Sequence, residues 1–268
     1  MRQSHPLGQR HLRDSGWQTP LCEGAPELNS QALDFGAIVS KKPVGSRFIL
    51  VRHGETDWNK EKRFQGHTDI ALNAHGLLQA QLLRKYFDSL EAREISLYDQ
   101  CVSSDLTRAH TTASTIHGSK TPAMQLYKGL RERDYGHLSG LTGDEMQVKS
   151  PNEFAGLKNR IPDSPLSGGE SLAQFYQRVV STFQQICAVS THKTILLVAH
   201  GGVLDCIYRY CTGELLHTQR EWQLPNCALN VVDIDPQGNK SVKLWAWTGH
   251  LNHDKPGQNM DEVDGRIA

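Results

Sequence analysis

Two short apolar runs in this chain fail to alternate, and each leads directly into histidine and glycine. Phe48-Ile49-Leu50-Val51 enters Arg52-His53-Gly54-Glu55-Thr56, and Thr194-Ile195-Leu196-Leu197-Val198-Ala199 enters His200-Gly201-Gly202. A strand that is apolar at every position is buried on both faces, as parallel strands are when helices cover both sides of their sheet. Open sheets of that kind bind ligands beyond the carboxyl ends of their strands. The two runs therefore bring an arginine and two histidines to one edge. Arg52 offers a planar fork matched to phosphate, and a neutral His53 is a nucleophile. Gly54 lets the backbone turn sharply and lie close to a ligand. The combination points to phosphoryl chemistry through a phosphohistidine.

The rest of the chain supplies elements for such a sheet. Strand one is expected over residues 47–52. Asn73 caps a helix with Leu83, Phe87 and Leu90 on one face. Residues 97–103 read as a second strand, followed by a helix that starts at Ser104 or Asp105 and runs to Ile116. Residues 123–127 form a short strand. Between Gly140 and Gly168 the pattern is irregular, an excursion over the top of the sheet. Ser171-Leu172-Ala173-Gln174 is a capping box opening a helix with Leu172, Phe175, Val179, Phe183 and Ile186 on its apolar face. A helix follows from Val203 to about Tyr210. Residues 228–234 and 242–247 close the sheet as an antiparallel pair around Pro236-Gln237-Gly238. Trp245 and Trp247 alternate on that last strand and read as packing residues, with a role in covering the pocket as the alternative.

Alternating strands and helices make this an α/β fold. We expect a three-layer α/β/α, doubly wound domain with a mostly parallel sheet and an antiparallel edge, over residues 46–251. Residues 1–45, rich in Ser, Gly, Pro, Gln and Arg, read as a flexible extension, apart from a weak Ala37-Ile38-Val39 patch. Residues 252–268 read as a tail.

Charge narrows the partners. Lys plus Arg and Asp plus Glu balance at 29 each, so no nucleic-acid or membrane partner is expected and any anion site is local. The six cysteines are scattered without a C-x-x-C pair, which favours reduced thiols and a cytoplasmic location. No apolar stretch has the length of a membrane span. His250-Leu251-Asn252-His253-Asp254 has a metal-like spacing but stands on an expected tail, and no metal is assigned to it.

Two further segments add chemistry. Ser103-Ser104-Asp105-Leu106-Thr107-Arg108-Ala109 puts Arg108 in the first turn of a helix at the same edge, and Leu130-Arg131-Glu132-Arg133-Asp134-Tyr135-Gly136 brings Glu132 near it. Alone, Arg108 is a solvated helix charge, and Glu132 is a loop carboxylate with Asp134 two residues away. Together with the two histidine segments, however, they resemble the histidine phosphatase superfamily, the phosphoglycerate-mutase-like phosphohydrolases, over roughly residues 47–251. The resemblance implies that His53 takes up the phosphoryl group and that Arg52, Arg108 and His200 hold it. It further implies that Glu132 protonates the leaving oxygen and that Asn59 contacts the phosphate. Gln65 and Gly66 of the first pocket loop and Gly201 complete the expected substrate-binding set. The scheme requires no metal and no cofactor.

The chemistry sets its own conditions. His53 must be neutral, with its second ring nitrogen donating to a backbone carbonyl that fixes the tautomer. Glu132 must carry a proton and later activate water. Phosphoglycerate mutases of the family carry a long insertion with paired arginines after the acid. Here the stretch from Glu132 to Glu170 is short and has no adjacent arginine pair, and the pocket loop reads Phe64-Gln65-Gly66-His67. A phosphatase acting on a small phosphorylated metabolite is therefore the leading expectation, with a bisphosphoglycerate-dependent mutase second and a non-catalytic phosphate-binding regulator third. Gln65, Lys149, Lys158 and Arg160 are candidates for contacting the non-phosphate part of an acidic substrate.

Overall fold

The computed structural model describes residues 35–251. In chain order it contains α1 (Phe35–Val39), β1 (Ser46–Arg52), α2 (Asp57–Lys60), α3 (Ala74–Glu91), β2 (Gln100–Ser103), α4 (Thr107–His117) and β3 (Gln125–Leu126). It continues with α5 (Gly143–Lys149), α6 (Pro151–Lys158), α7 (Leu172–Val189), β4 (Thr194–Ala199), α8 (Gly201–Thr212), β5 (Leu229–Ile234) and β6 (Lys240–Trp247). The strands form one six-stranded sheet in the order β3-β2-β4-β1-β5-β6. The first four are parallel, and β5 and β6 run antiparallel at one side. This is the mixed α/β sheet with helices on both faces that the sequence led us to expect.

Alternate side chains of the central strands separate into two cores. Phe48, Leu50, Ile195 and Leu197 pack with Phe175, Val179, Phe183 and Ile186 of α7 and with Val203, Leu204 and Ile207 of α8. Ile49, Val51, Leu196 and Val198 pack with Leu83, Phe87 and Leu90 of α3 and with Ala113 and Ile116 of α4. Burial on both faces explains the absence of alternation in β1 and β4, since every position removes apolar surface from water. A smaller cluster of Phe64, Tyr135, Leu138, Met146, Phe154, Leu157 and Leu166 gives the excursion its own core. Among the described residues no helix is long and apolar enough to cross a membrane.

Several boundaries differ from expectation, each for a visible reason. The packed chain begins before residue 46: α1 buries Phe35 completely, stacking it 5.9 Å from Phe87. The Ala37-Ile38-Val39 patch is thus part of a helix packed on the second core. Leu97 is buried outside β2, because Asp99 is taken up at the start of β4, its N–H donating to Thr194 O and its Oδ2 accepting from Thr194 N. The second helix starts at Thr107 and not at Ser104 or Asp105, because Asp105 is spent on Arg131. The capping carboxylate comes from a distant loop, Asp69, which accepts from Thr107 N and Oγ1. Strand β3 pairs over two residues only, while α8 starts at Gly201 and runs two residues past Tyr210 to a Gly213 at φ +80°.

The last strand packs both of its tryptophans, but on opposite sides of the sheet. Ala246 adopts φ +56°, and the pairing slips between Leu229↔Trp247 and Val231↔Leu244, so β6 carries a bulge. Asn230 Oδ1 accepts the Ala246 N–H at 2.7 Å inside it. The bulge rotates the strand, so Trp245 packs on the α7–α8 side and Trp247 on the α3 side.

Candidate active site

Register places the two histidines side by side. Arg52 pairs with Ala199 as the last step of the β1–β4 ladder, and His53 N donates to Ala199 O at 2.9 Å, so His53 and His200 both lie one residue beyond it. Their ring centroids are 5.1 Å apart. His53 Nδ1 lies 2.7 Å from Gly54 O, a carbonyl that can only accept, so the proton sits on Nδ1 and Nε2 carries the lone pair. Burial pushes the basicity of His53 well down, helped by the charges of Arg108 and then Arg52. Burial does the same to His200, with Arg108, His53 and Arg52 adding to it. Both rings are neutral at physiological pH.

The arginines are held by carbonyls. Arg52 Nη1 donates to Leu224 O at 2.7 Å, and Arg108 donates through Nη1 to Thr68 O and through Nη2 to Gly66 O, at 2.9 and 2.8 Å. Both side chains are almost wholly buried. Gly66, at φ +54°, turns the first pocket loop so that its carbonyl meets Arg108. Gln65 is buried there, and its Oε1 has no hydrogen-bond partner among the described residues. Asn59 uses its Oδ1 to accept from Thr56 N and Oγ1 in a capping box, which orients the amide and leaves its nitrogen to donate. Gly201 opens α8, whose first turn brings partial positive charge to the strand ends.

Glu132 is 4% exposed and is gripped from two sides. Its Oε2 accepts from Gly202 N at 3.0 Å and its Oε1 from Arg133 N at 2.8 Å. Amide donors favour the ionised carboxylate and burial favours the acid, so the two influences oppose each other. The Glu132 carbonyl accepts from His67 Nε2 and from Arg178 Nη2. Arg178 also donates to Gly129 O and Arg131 O and forms a two-point ion pair with Glu170. Glu170 Oε2 in turn accepts from Asp134 N. Burial raises the Glu170 pKa, but Arg178 and the Asp134 amide outweigh it and hold the carboxyl below its usual range.

Thus His53 and His200 stand side by side, Glu132 is held at Gly202 beside Gly201 and His200, and Arg108 is held at Gly66, while Asn59 lies in α2 and Gln65 on the pocket loop. Arg160 is not available to a substrate: it pairs with Asp205 at 2.8 Å and donates to Leu216 O. Lys149 and Lys158 are exposed at the ends of α5 and α6. Glu55 is structural, accepting from Asn73 Nδ2 and Asn73 N and donating its own N–H to Gln79. Gly54 is fixed by packing, since a Cβ there would stand 2.4 Å from Gly76 O. His250 is packed against Tyr86 and Trp247, and residues 252–254 of its motif lie outside the described residues.

Sequence reasoning missed several supports. Asn226 Nδ2 donates to His53 O at 2.7 Å, and Thr112 Oγ1 accepts from Gly54 N at 3.0 Å while donating to Arg108 O. Ser104 Oγ meets His200 Nε2 at 2.9 Å. Ser104 stands in a motif already singled out, whereas nothing local marks Asn226. Arg133 stands in the segment that carries Glu132, where the sequence gives it no role of its own. It is 7% exposed, donates through Nε to Glu170 O, and has no carboxylate in an ion pair among the described residues.

Comparison with known proteins shows the family. The family model for the histidine phosphatase superfamily (branch 1) matches residues 48–248, and the chain belongs to that superfamily. It is 31% identical over 209 residues to phosphoglycerate mutase-like protein 4 of Arabidopsis thaliana, covering 77% of this chain and 87% of that protein. It is 33% identical over 211 residues to the metal-independent phosphoserine phosphatase of Arabidopsis thaliana, covering 77% and 84%. The crystal structure of phosphoserine phosphatase from Entamoeba histolytica, in complex with 3-phosphoglyceric acid, matches with a TM-score of 0.67 at 26% identity. That match covers 77% of this chain and 99% of the other.

Proposed function

We propose that this protein is a phosphomonoester hydrolase that acts through a phosphohistidine on a small phosphorylated metabolite. The observation that carries the reading is the His53 ring: neutral, its Nδ1 proton committed to Gly54 O, and its Nε2 lone pair beside His200. In the first half-reaction Nε2 attacks phosphorus in line, the P–O bond to the leaving group breaks, and the departing oxygen takes a proton from Glu132. In the second, water attacks phosphorus, Glu132 accepts its proton, the P–N bond breaks, and phosphate leaves with His53 restored. Arg52, Arg108 and His200 surround the equatorial oxygens.

A substrate with a second anionic group fits best, because Arg133, next to the acid in sequence, is a buried cation with no carboxylate in an ion pair among the described residues. The phosphoserine phosphatases among its relatives support that preference. Bisphosphoglycerate-dependent mutase activity is the second reading, favoured by the name of the 31% identical relative.

The test is phosphate release from a panel including phosphoserine, 3-phosphoglycerate and sugar phosphates, in chelator. Isomerisation of 3-phosphoglycerate is followed with and without 2,3-bisphosphoglycerate. Free phosphate without isomerisation is expected, and His53→Ala should abolish it while the circular dichroism stays unchanged. Bisphosphate-dependent isomerisation would replace the hydrolase by the mutase, and full turnover in folded His53→Ala would remove the nucleophile.

A further inference from the structure

His200 and Ser104 are both completely buried, and their contact decides which nitrogen of His200 carries the proton. The Ser104 backbone is fixed by its own N–H, which donates to Val198 O at 3.0 Å. Its hydroxyl oxygen accepts the Leu106 N–H at 3.3 Å, so one lone pair is engaged and the hydroxyl still has its own proton to place. The acceptor within reach, among the described residues, is His200 Nε2 at 2.9 Å. If Nε2 carried a proton instead, two donors would converge on Ser104 Oγ and its buried O–H would lack an acceptor among the described residues, a costly arrangement. On the other side of the ring, Nδ1 is buried and has no hydrogen-bond partner among the described residues.

We propose that Ser104 is a positioning residue that holds His200 in the tautomer protonated at Nδ1, so that His200 meets a phosphoryl oxygen as a hydrogen-bond donor. This rests on the phosphohistidine reading for its purpose, though not for its geometry. The two imidazoles then share a tautomer and differ in the edge they offer. His53 directs Nδ1–H into Gly54 O and offers a lone pair, while His200 accepts from Ser104 at Nε2 and offers an N–H. The reverse tautomer would set a lone pair of His200 against an anionic oxygen. Charge on that oxygen grows as phosphorus passes between donor and acceptor, so the contact strengthens in the transition state and should appear in kcat more than in KM.

The experiment is nitrogen NMR of histidine-labelled protein at pH 7.5, with the His200 signals identified by their loss in His200→Gln, alongside turnover of p-nitrophenyl phosphate. The unaltered protein should show His200 neutral with a directly bonded proton on Nδ1 and none on Nε2. Ser104→Ala should show mixed tautomers and a kcat lower by about tenfold to a hundredfold, with KM changed by less than about threefold. Ser104→Thr, which keeps the hydroxyl, should keep the Nδ1 proton. A proton found on Nε2 in the unaltered protein overturns the proposal, as does an unchanged kcat in Ser104→Ala. Should the unaltered protein leave the aryl phosphate intact, the hydrolase reading would be in question, and the NMR result would still decide the tautomer.

Discussion

Gly202 acts through the side chain it lacks. A Cβ at this position would stand 2.3 Å from Glu132 Oε1, so the helix can hand its amide to the carboxylate only if the residue is glycine. Gly202→Ala should push Glu132 out of place and lower kcat roughly tenfold to a hundredfold, with the global fold retained, as kinetics and circular dichroism would show. At this scale the sequence was informative wherever chemistry and strand end coincide. Arg52, His53 and His200 follow apolar runs and announce themselves. Ser104, Thr112 and Asn226 could not be read the same way, because each works through one hydrogen bond to a partner remote in sequence, and serine, threonine and asparagine are ordinary in loops and helices.

Among the elements, α7 does more than cover the sheet. Its apolar face was legible at helical spacing down to the individual residue, from Leu172 to Ile186. Its polar face was not, because the work of Arg178 depends on where the Glu132 segment passes. Arg178 gathers the carbonyls of Gly129, Arg131 and Glu132 and locks onto Glu170. A planar five-donor fork can serve all of these, and a lysine ammonium cannot. Arg178→Lys should therefore lower kcat about tenfold while leaving helix content unchanged, measured by turnover and far-ultraviolet circular dichroism. Boundaries were misjudged where tertiary contacts override local signals. The cap of α4 arrives from Asp69, and the bulge at Ala246 puts the two tryptophans on opposite sides of the sheet.

For the whole molecule, buried imidazoles tie stability to pH. His250 is 6% exposed within an aromatic stack, and burial pulls its pKa from 6.5 to about 4. The folded state resists a proton that the unfolded chain accepts, so this contribution is complete above pH 6.5 and disappears as the pH falls toward 4. At about 1.4 kcal/mol per pH unit, roughly 2 kcal/mol should be lost by pH 5. Denaturant unfolding at pH 7.5 and pH 5 should show His250→Phe losing less stability than the unaltered protein by about that amount. His53 and His200 contribute in the same direction and remain in both proteins. The layered architecture was legible because both-face burial leaves its mark on composition. The role of α1 was not, since five residues in a polar setting carry little periodic signal.

The neighbouring placement of β1 and β4 has a consequence for the life of the chain. Between these strands in sequence lie two other strands and every helix from α2 to α7, yet they must lie edge to edge before the two histidines can share a ligand. Contacts so distant along the chain close late in folding. A growing polypeptide on the ribosome can therefore complete most of one helical layer and still have no phosphate pocket. Competence arrives abruptly, when the most apolar strand slots in beside the first, and a chain released before that moment would carry its reactive histidine without the surroundings that direct it.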